Sequence, residues 1–270
     1  MRWLFIVVLV GLDLSLPLTV QSEEPGKQIE QPRYSSSLRD DTAKTALFTA
    51  AMVYLARGGD VSDPEFQKWV RTAAKMGSAK AQFMLGGLYA DGEGMAQDYT
   101  EAARWFRMAA EQDEPKAQVY LGKLYVLGRG VKQSDSDAAF WLRKAAEHGD
   151  PNGQHSLALL YLQGRGIRQD DAEAVWWLRN AAEQGHGDAQ AKLGELHFEG
   201  RGVEKSIGAA VHWTRQAAET GNAAAQFRLG TLNESGEGMS MDTGRASYWY
   251  RKAAEQGHEE ARDRLVKLDE

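Results

Sequence analysis

The stretch Leu124–Asp150, LYVLGRGVKQSDSDAAFWLRKAAEHGD, sets two glycines around Arg129 after an apolar run. A phosphate-cradling loop would follow its glycines with a Lys and a Ser or Thr in register, and GRGVKQSD supplies neither that pair nor a third glycine. The motif recurs instead. DGEGMAQD, LGRGVKQS, QGRGIRQD, EGRGVEKS and SGEGMSMD begin at Asp91, Leu127, Gln163, Glu199 and Ser235, each 36 residues after the last. A fixed period of this length is the mark of a stacked array, in which each unit buries its apolar face only against its neighbours.

Working outward, the chain divides into units 79–114, 115–150, 151–186, 187–222 and 223–258. Residues 43–78 form a degenerate sixth, in which Trp69 and Ala73-Ala74 keep the register of Trp105 and Ala109-Ala110. Within a unit, Ala81, Leu85, Leu88 and Tyr89 share one helical face, as do Ala102, Trp105, Phe106, Ala109 and Ala110. Each unit therefore reads as helix, turn, helix. The glycine pairs close the first helix, where a left-handed residue with a Cβ would cost about 1–2 kcal/mol. The fold class is an all-α, right-handed α-solenoid of six hairpins with a 36-residue period, and residues 259–270 form a charged C-terminal cap.

The repeated residues have packing explanations. Gly86, Gly122, Gly194 and Gly230, with Ala158 in the same register, leave room for close helix approach. Trp69, Trp105, Trp141, Trp177, Trp213 and Trp249 should insert between successive hairpins. Gln82, Gln118, Gln154, Gln190 and Gln226 are polar near the core, which calls for side-chain bonds to backbone at the junctions.

The ends differ from the array. Residues 1–22 carry Arg2, the apolar run WLFIVVLVGL and small residues before Glu23, the pattern of a cleaved secretory signal. Asp13 interrupts the run short of the ~20 residues a spanning helix needs, so no stable membrane insertion is expected after cleavage. Residues 23–42, with two prolines and a serine run, read as a flexible linker. A net charge of −6 and a pI near 5.6 provide no basic field and argue against a nucleic-acid partner. There is no cysteine, so neither a disulfide nor an acylated N-terminal cysteine is available.

The unit PKAQVYLGKLYVLGRGVKQSDSDAAFWLRKAAEHGD resembles the Sel-one-like repeat, a branch of the tetratricopeptide-repeat superfamily, nearly position for position across 79–258 and weakly over 43–78. That resemblance implies an adaptor or scaffold in envelope assembly, signalling, host interaction or quality control. One exported branch of the family carries a disulfide in each repeat, which this chain cannot form.

A catalytic constellation is not found in the sequence. HExxH, GxSxG, SxxK and Walker patterns are missing, and no cofactor or metal is expected. His197 replaces the repeated tyrosine and reads as a satisfied core histidine. Asn233-Glu234-Ser235 matches a glycosylation sequon near a helix end, as a short motif does by chance.

Residues that vary between repeats remain for recognition. If first helices line a concave surface, their non-core positions are Lys80, Phe83, Gly87 and Ala90, then Lys116, Val119, Lys123 and Val126, then Asn152, His155, Leu159 and Leu162, then Asp188, Ala191, Glu195 and Phe198, and last Ala224, Phe227, Thr231 and Glu234, basic toward the N-terminal units, apolar at the centre and acidic toward Glu195, Glu199 and Glu234. Such a groove suits an extended or helical peptide. Arg107 and Arg143, at non-core positions of the second helices, are the control: their alanine variants are expected to leave partner binding nearly unchanged. The sequence thus reads as a periplasmic or secreted protein-binding scaffold or regulator that is not an enzyme. A secreted factor engaging a host protein is the alternative, and a cell-wall or β-lactam hydrolase is a minor one.

Overall fold

The structure, a computed structural model, describes residues 36–268. The expected signal, 1–22, lies outside the described residues, as does the linker up to residue 35. The last part of that linker is not flexible chain, because α1 (Ser36–Ala56) already includes residues 36–42.

After α1 come α2 (Pro64–Lys75), α3 (Ala79–Asp91), α4 (Tyr99–Ala110), α5 (Pro115–Leu127), α6 (Asp135–Glu147) and α7 (Pro151–Gln163). They are followed by α8 (Asp171–Glu183), α9 (Gly187–Glu199), α10 (Ile207–Glu219), α11 (Ala223–Ser235), α12 (Thr243–Glu255) and α13 (Glu259–Leu268). Each helix packs mainly on the one before and the one after it, which makes the chain an all-α solenoid of hairpins. The last helix, α13, buries Ala261 against the array and half-buries Leu265, as a cap requires.

Every first helix from α3 to α11 ends on a glycine in the left-handed region, with φ between 63° (Gly128) and 74° (Gly236), and the N–H of that glycine bonds the leucine carbonyl four residues back. The second glycine of the pair has a separate reason. A Cβ on Gly130 would stand 1.9 Å from the Tyr99 carbonyl oxygen, because the turn presses on the start of the preceding hairpin's second helix. That second helix then starts on a capping side chain: Asp98, Ser134, Asp170, Ser206 and Asp242 each accept from a first-turn N–H, a contribution of about 1 kcal/mol per cap.

Inside each hairpin the fully buried Leu85, Leu121, Leu157, Leu193 and Leu229 lie beside the facing side chains Phe106, Leu142, Leu178, Thr214 and Tyr250. The small position next to each leucine is needed for this. A Cβ on Gly86 would come within 2.7 Å of Phe106, and one on Gly230 within 2.5 Å of Tyr250. The junction glutamines behave as their buried polarity demands: Nε2 of Gln82, Gln118, Gln154, Gln190 and Gln226 donates to the carbonyls of Ala74, Ala110, Ala146, Ala182 and Ala218 at 3.0–3.4 Å.

Two expectations need correction. Only Trp105 and Trp177 of the repeated tryptophans are buried; Trp69, Trp141, Trp213 and Trp249 pack on the core with part of the ring in solvent. His197 is buried in the tyrosine register, but its Nδ1 has no hydrogen-bond partner, because the imidazole is too short to place a polar atom where Tyr125 and Tyr161 hold their hydroxyls.

Candidate functional site

Two hollows open on the face formed by the first helices. The first is lined mainly by α1, α3 and α5, with Phe48, Phe83, Met84 and Tyr120 as walls and Phe66 and Phe106 as floor, and encloses about 260 Å³. Phe83 lies edge-on to Tyr120 and tilted on Phe106, with ring centroids 5.6 and 5.7 Å apart, so the walls are held in place by one another. Lys80, Lys116, Asp91, Glu93 and Glu114 stand at the mouth.

The second hollow, of about 540 Å³, lies across α7, α9 and α11. Its apolar surface is Leu159, Ala191 and Phe198, and its rim carries Asp188, Lys192, Glu195, Glu199 and Arg228. It reaches down to Thr214, the smallest of the facing residues in the cores of α3 to α12. Arg228 lies 4.5 Å over the Phe198 ring, which fixes that aromatic as a platform. His155 and His186 stack with centroids 4.8 Å apart. Burial, reinforced by His186 and by Lys123 and Lys192 and opposed by Asp188, pushes His155 down to about 4, so the ring is neutral at physiological pH. Burial also holds His186 below the usual histidine range, and burial at the first hollow raises Asp91 and Tyr120.

Lys80, Phe83, Gly87 and Lys116 are thus brought to the first hollow, and His155, Leu159, Asp188, Ala191, Glu195, Phe198 and Ala224 to the second. Lys123 is exposed with its ammonium 5.5 Å over the Tyr120 ring, between the two. Five of the other expected groove residues are placed differently. Val119 and Leu162 are core side chains, 3% and 6% exposed, because α5 and α7 turn them toward the next hairpin. Val126 is half-buried against the same core, and Phe227 stacks on His258 and leans on Tyr250 under the cap. Glu234 is not a free rim acid, since it accepts from Tyr250 and pairs with Arg264. Arg107 and Arg143, on the second helices, donate to the Tyr125 and Tyr161 hydroxyls across the junction at 2.8 and 2.9 Å. Asn233 is buried with its amide on the Leu229 carbonyl, which leaves the sequon inaccessible in the folded chain.

Sequence reasoning missed Phe48 on α1, and also Met84, Tyr120, Lys192 and Arg228, each one position beyond a residue chosen. A step of one residue is 100° on a helix, and the tilt of each first helix against the next decides which position faces outward. Among the described residues no cluster of metal-ligating side chains occurs, and no helix is long and apolar enough to cross a membrane.

The Sel1 repeat family profile matches residues 79–114, 115–150, 151–186, 187–222 and 223–258. Among solved structures, the chain is similar to c5321, a protective antigen of uropathogenic Escherichia coli strains with an SLR fold, at 32% identity and a TM-score of 0.77 over 86% of this chain. It spans 50% of that protein's length. A Sel1 repeat protein from Oxalobacter formigenes matches at 32% identity and a TM-score of 0.72, covering 79% of this chain and 86% of the other. The immunity protein Pa5087 from Pseudomonas aeruginosa, at 19% identity and a TM-score of 0.50 over 78% of this chain and 81% of its own, shares the fold alone. No curated protein matches the chain.

Proposed function

The chain belongs to the Sel1 repeat family, and from that premise we propose that it is a non-enzymatic scaffold or adaptor that acts in the periplasm or after secretion and binds a partner protein across the face of its first helices. One observation carries this reading. The side chains that recur in every repeat are used for turns, junctions and core, whereas those that vary line two hollows with apolar walls and charged rims. Apolar anchors ringed by polar groups are the composition of a protein-recognition surface. Glu111, Glu147, Glu183, Glu219 and Glu255 recur once per repeat at the ends of the second helices, whereas acid and base catalysis would require carboxylates gathered at one locus.

Export rests on the N-terminal signal pattern, and the likeness to a protective antigen supports it. That likeness also favours a second reading, a secreted factor that engages a host protein. A photocrosslinking amino acid at Phe198 should capture one dominant polypeptide in the native envelope or medium, while the same group at Trp176, on the outer helix α8, should not. Equal capture from both positions would remove the site from the first-helix face. N-terminal sequencing of the protein that carries the crosslinker should read from near Glu23, and an intact Met1 would overturn export.

A further inference from the structure

Gly87 occupies the third turn of α3 and has no packing reason to be glycine. A Cβ built on it would meet nothing within 4 Å, whereas one on its neighbour Gly86 would strike Phe106 at 2.7 Å. Glycine inside a helix is less favourable than any residue but proline, so an unforced one carries a stability cost with no structural return. In the repeats that follow, the same register holds Lys123, Leu159, Glu195 and Thr231. Gly87 lines the first hollow, and a side chain placed there would project into its open space. Its volume of about 260 Å³ falls below the ~300–1,000 Å³ of drug-sized ligand pockets and suits one large side chain.

The charges at the mouth fix what flanks that side chain. Lys80 in the first turn of α3 and Asp91 at its end both line the hollow, and neither takes part in an ion pair among the described residues. At a rise of 1.5 Å per residue, Lys80 is ~10 Å from Gly87 along the helix, and Gly87 is ~6 Å from Asp91. An extended chain at ~3.4 Å per residue covers these gaps in about three and two steps.

Resting on the reading that the first-helix face binds protein, we infer that the Gly87 hollow is an anchor site for an extended partner segment carrying a large apolar side chain. An acidic residue three positions to one side meets Lys80, and a basic residue two positions to the other meets Asp91.

The probe is the end-capped, fluorescently labelled peptide Asp-Ala-Ala-Trp-Ala-Lys, titrated against the full chain by anisotropy. Gly87→Leu fills the hollow and should weaken binding at least tenfold while raising the melting temperature by about 2–4 °C, since it also removes the helix glycine. Gly87→Ala should do both to a smaller degree. Exchanging the peptide's two charges should cost several-fold, and Lys80→Glu should restore binding to Lys-Ala-Ala-Trp-Ala-Lys. Equal affinity for Gly87→Leu and the unmodified chain, indifference to the charge exchange, or no binding at all overturns the inference. If Leu159→Ala weakens the probe and Gly87→Leu does not, the anchor site falls and the first-helix face stands; if no partner crosslinks at Phe198 either, that face falls as well.

Discussion

The side-chain amide of Gln184 donates to Oε1 of Gln154, 2.9 Å away and 30 residues back in the chain, while Nε2 of Gln154 holds the Ala146 carbonyl of the preceding hairpin. Gln112 on Gln82 and Gln256 on Gln226 repeat the pair at 2.7 and 2.8 Å, and His148 takes the same place against Gln118 at 3.2 Å. Each rung joins the end of one hairpin to its own first helix and, through that, to the hairpin before. One rung is broken. Thr220 stands where a glutamine would, its hydroxyl turns back to the Ala217 carbonyl, and the buried Oε1 of Gln190 is left without a partner.

Completing that rung should stabilise the array. An unsatisfied buried acceptor costs about 1–3 kcal/mol, so Thr220→Gln is expected to gain about 1 kcal/mol in denaturant unfolding, and Gln184→Thr to lose a similar amount by breaking an intact rung. Unchanged midpoints in both variants would show that the ladder is ornamental.

The two kinds of turn glycine should separate in the same assay. Gly149 has φ 84° with nothing within 4 Å of an added Cβ, so Gly149→Ala should cost only the left-handed penalty of about 1–2 kcal/mol. Gly130→Ala adds a collision with the Tyr99 carbonyl to that penalty and should cost clearly more. Equal losses would mean that the turn can lift off the preceding helix freely.

How much of this was legible in the sequence depends on whether a position is fixed by one repeat or by the stacking of several. Gly92 and Gly94, Gln82 and Leu85 recur at 36-residue spacing because each repeat makes the same demand on them, and turn, junction bond and core followed from that recurrence. Facing direction on the first helices did not follow. Val119 and Tyr120 are adjacent and both apolar enough for core or groove, and only the tilt of α5 against α7 buries the first and exposes the second. Gly87 was legible as a groove-facing position but not as an unforced glycine: next to Gly86 it reads as one small-residue step, and only the position of Phe106 shows that one glycine is required and the other is not.

Acidification should loosen the second hollow. In the unfolded chain His155 titrates near 6.5, while in the folded chain burial among His186, Lys123 and Lys192 holds it at about 4. The unfolded state therefore takes up the proton first. The resulting loss of stability is absent above pH 6.5 and grows as the pH falls toward 4. His155→Gln removes that component, and its stability should fall less over this window than that of the unmodified chain in pH-resolved melts. Parallel profiles would place the acid sensitivity elsewhere.

Recognition by the first-helix face is tested most directly by titrating the crosslinked partner, once purified, against four variants. Leu159→Ala and Phe198→Ala remove apolar surface from the second hollow, and Phe140→Ala and Trp176→Ala remove comparable rings, each 53% exposed, from the outer helices. Anchor side chains dominate interfaces, so the first two should each weaken binding by about 1–2 kcal/mol, roughly 5–30-fold, with helical content retained, and the outer pair should bind as the unmodified chain does. Full affinity in Leu159→Ala and Phe198→Ala, with loss confined to Phe140→Ala and Trp176→Ala, would contradict the account.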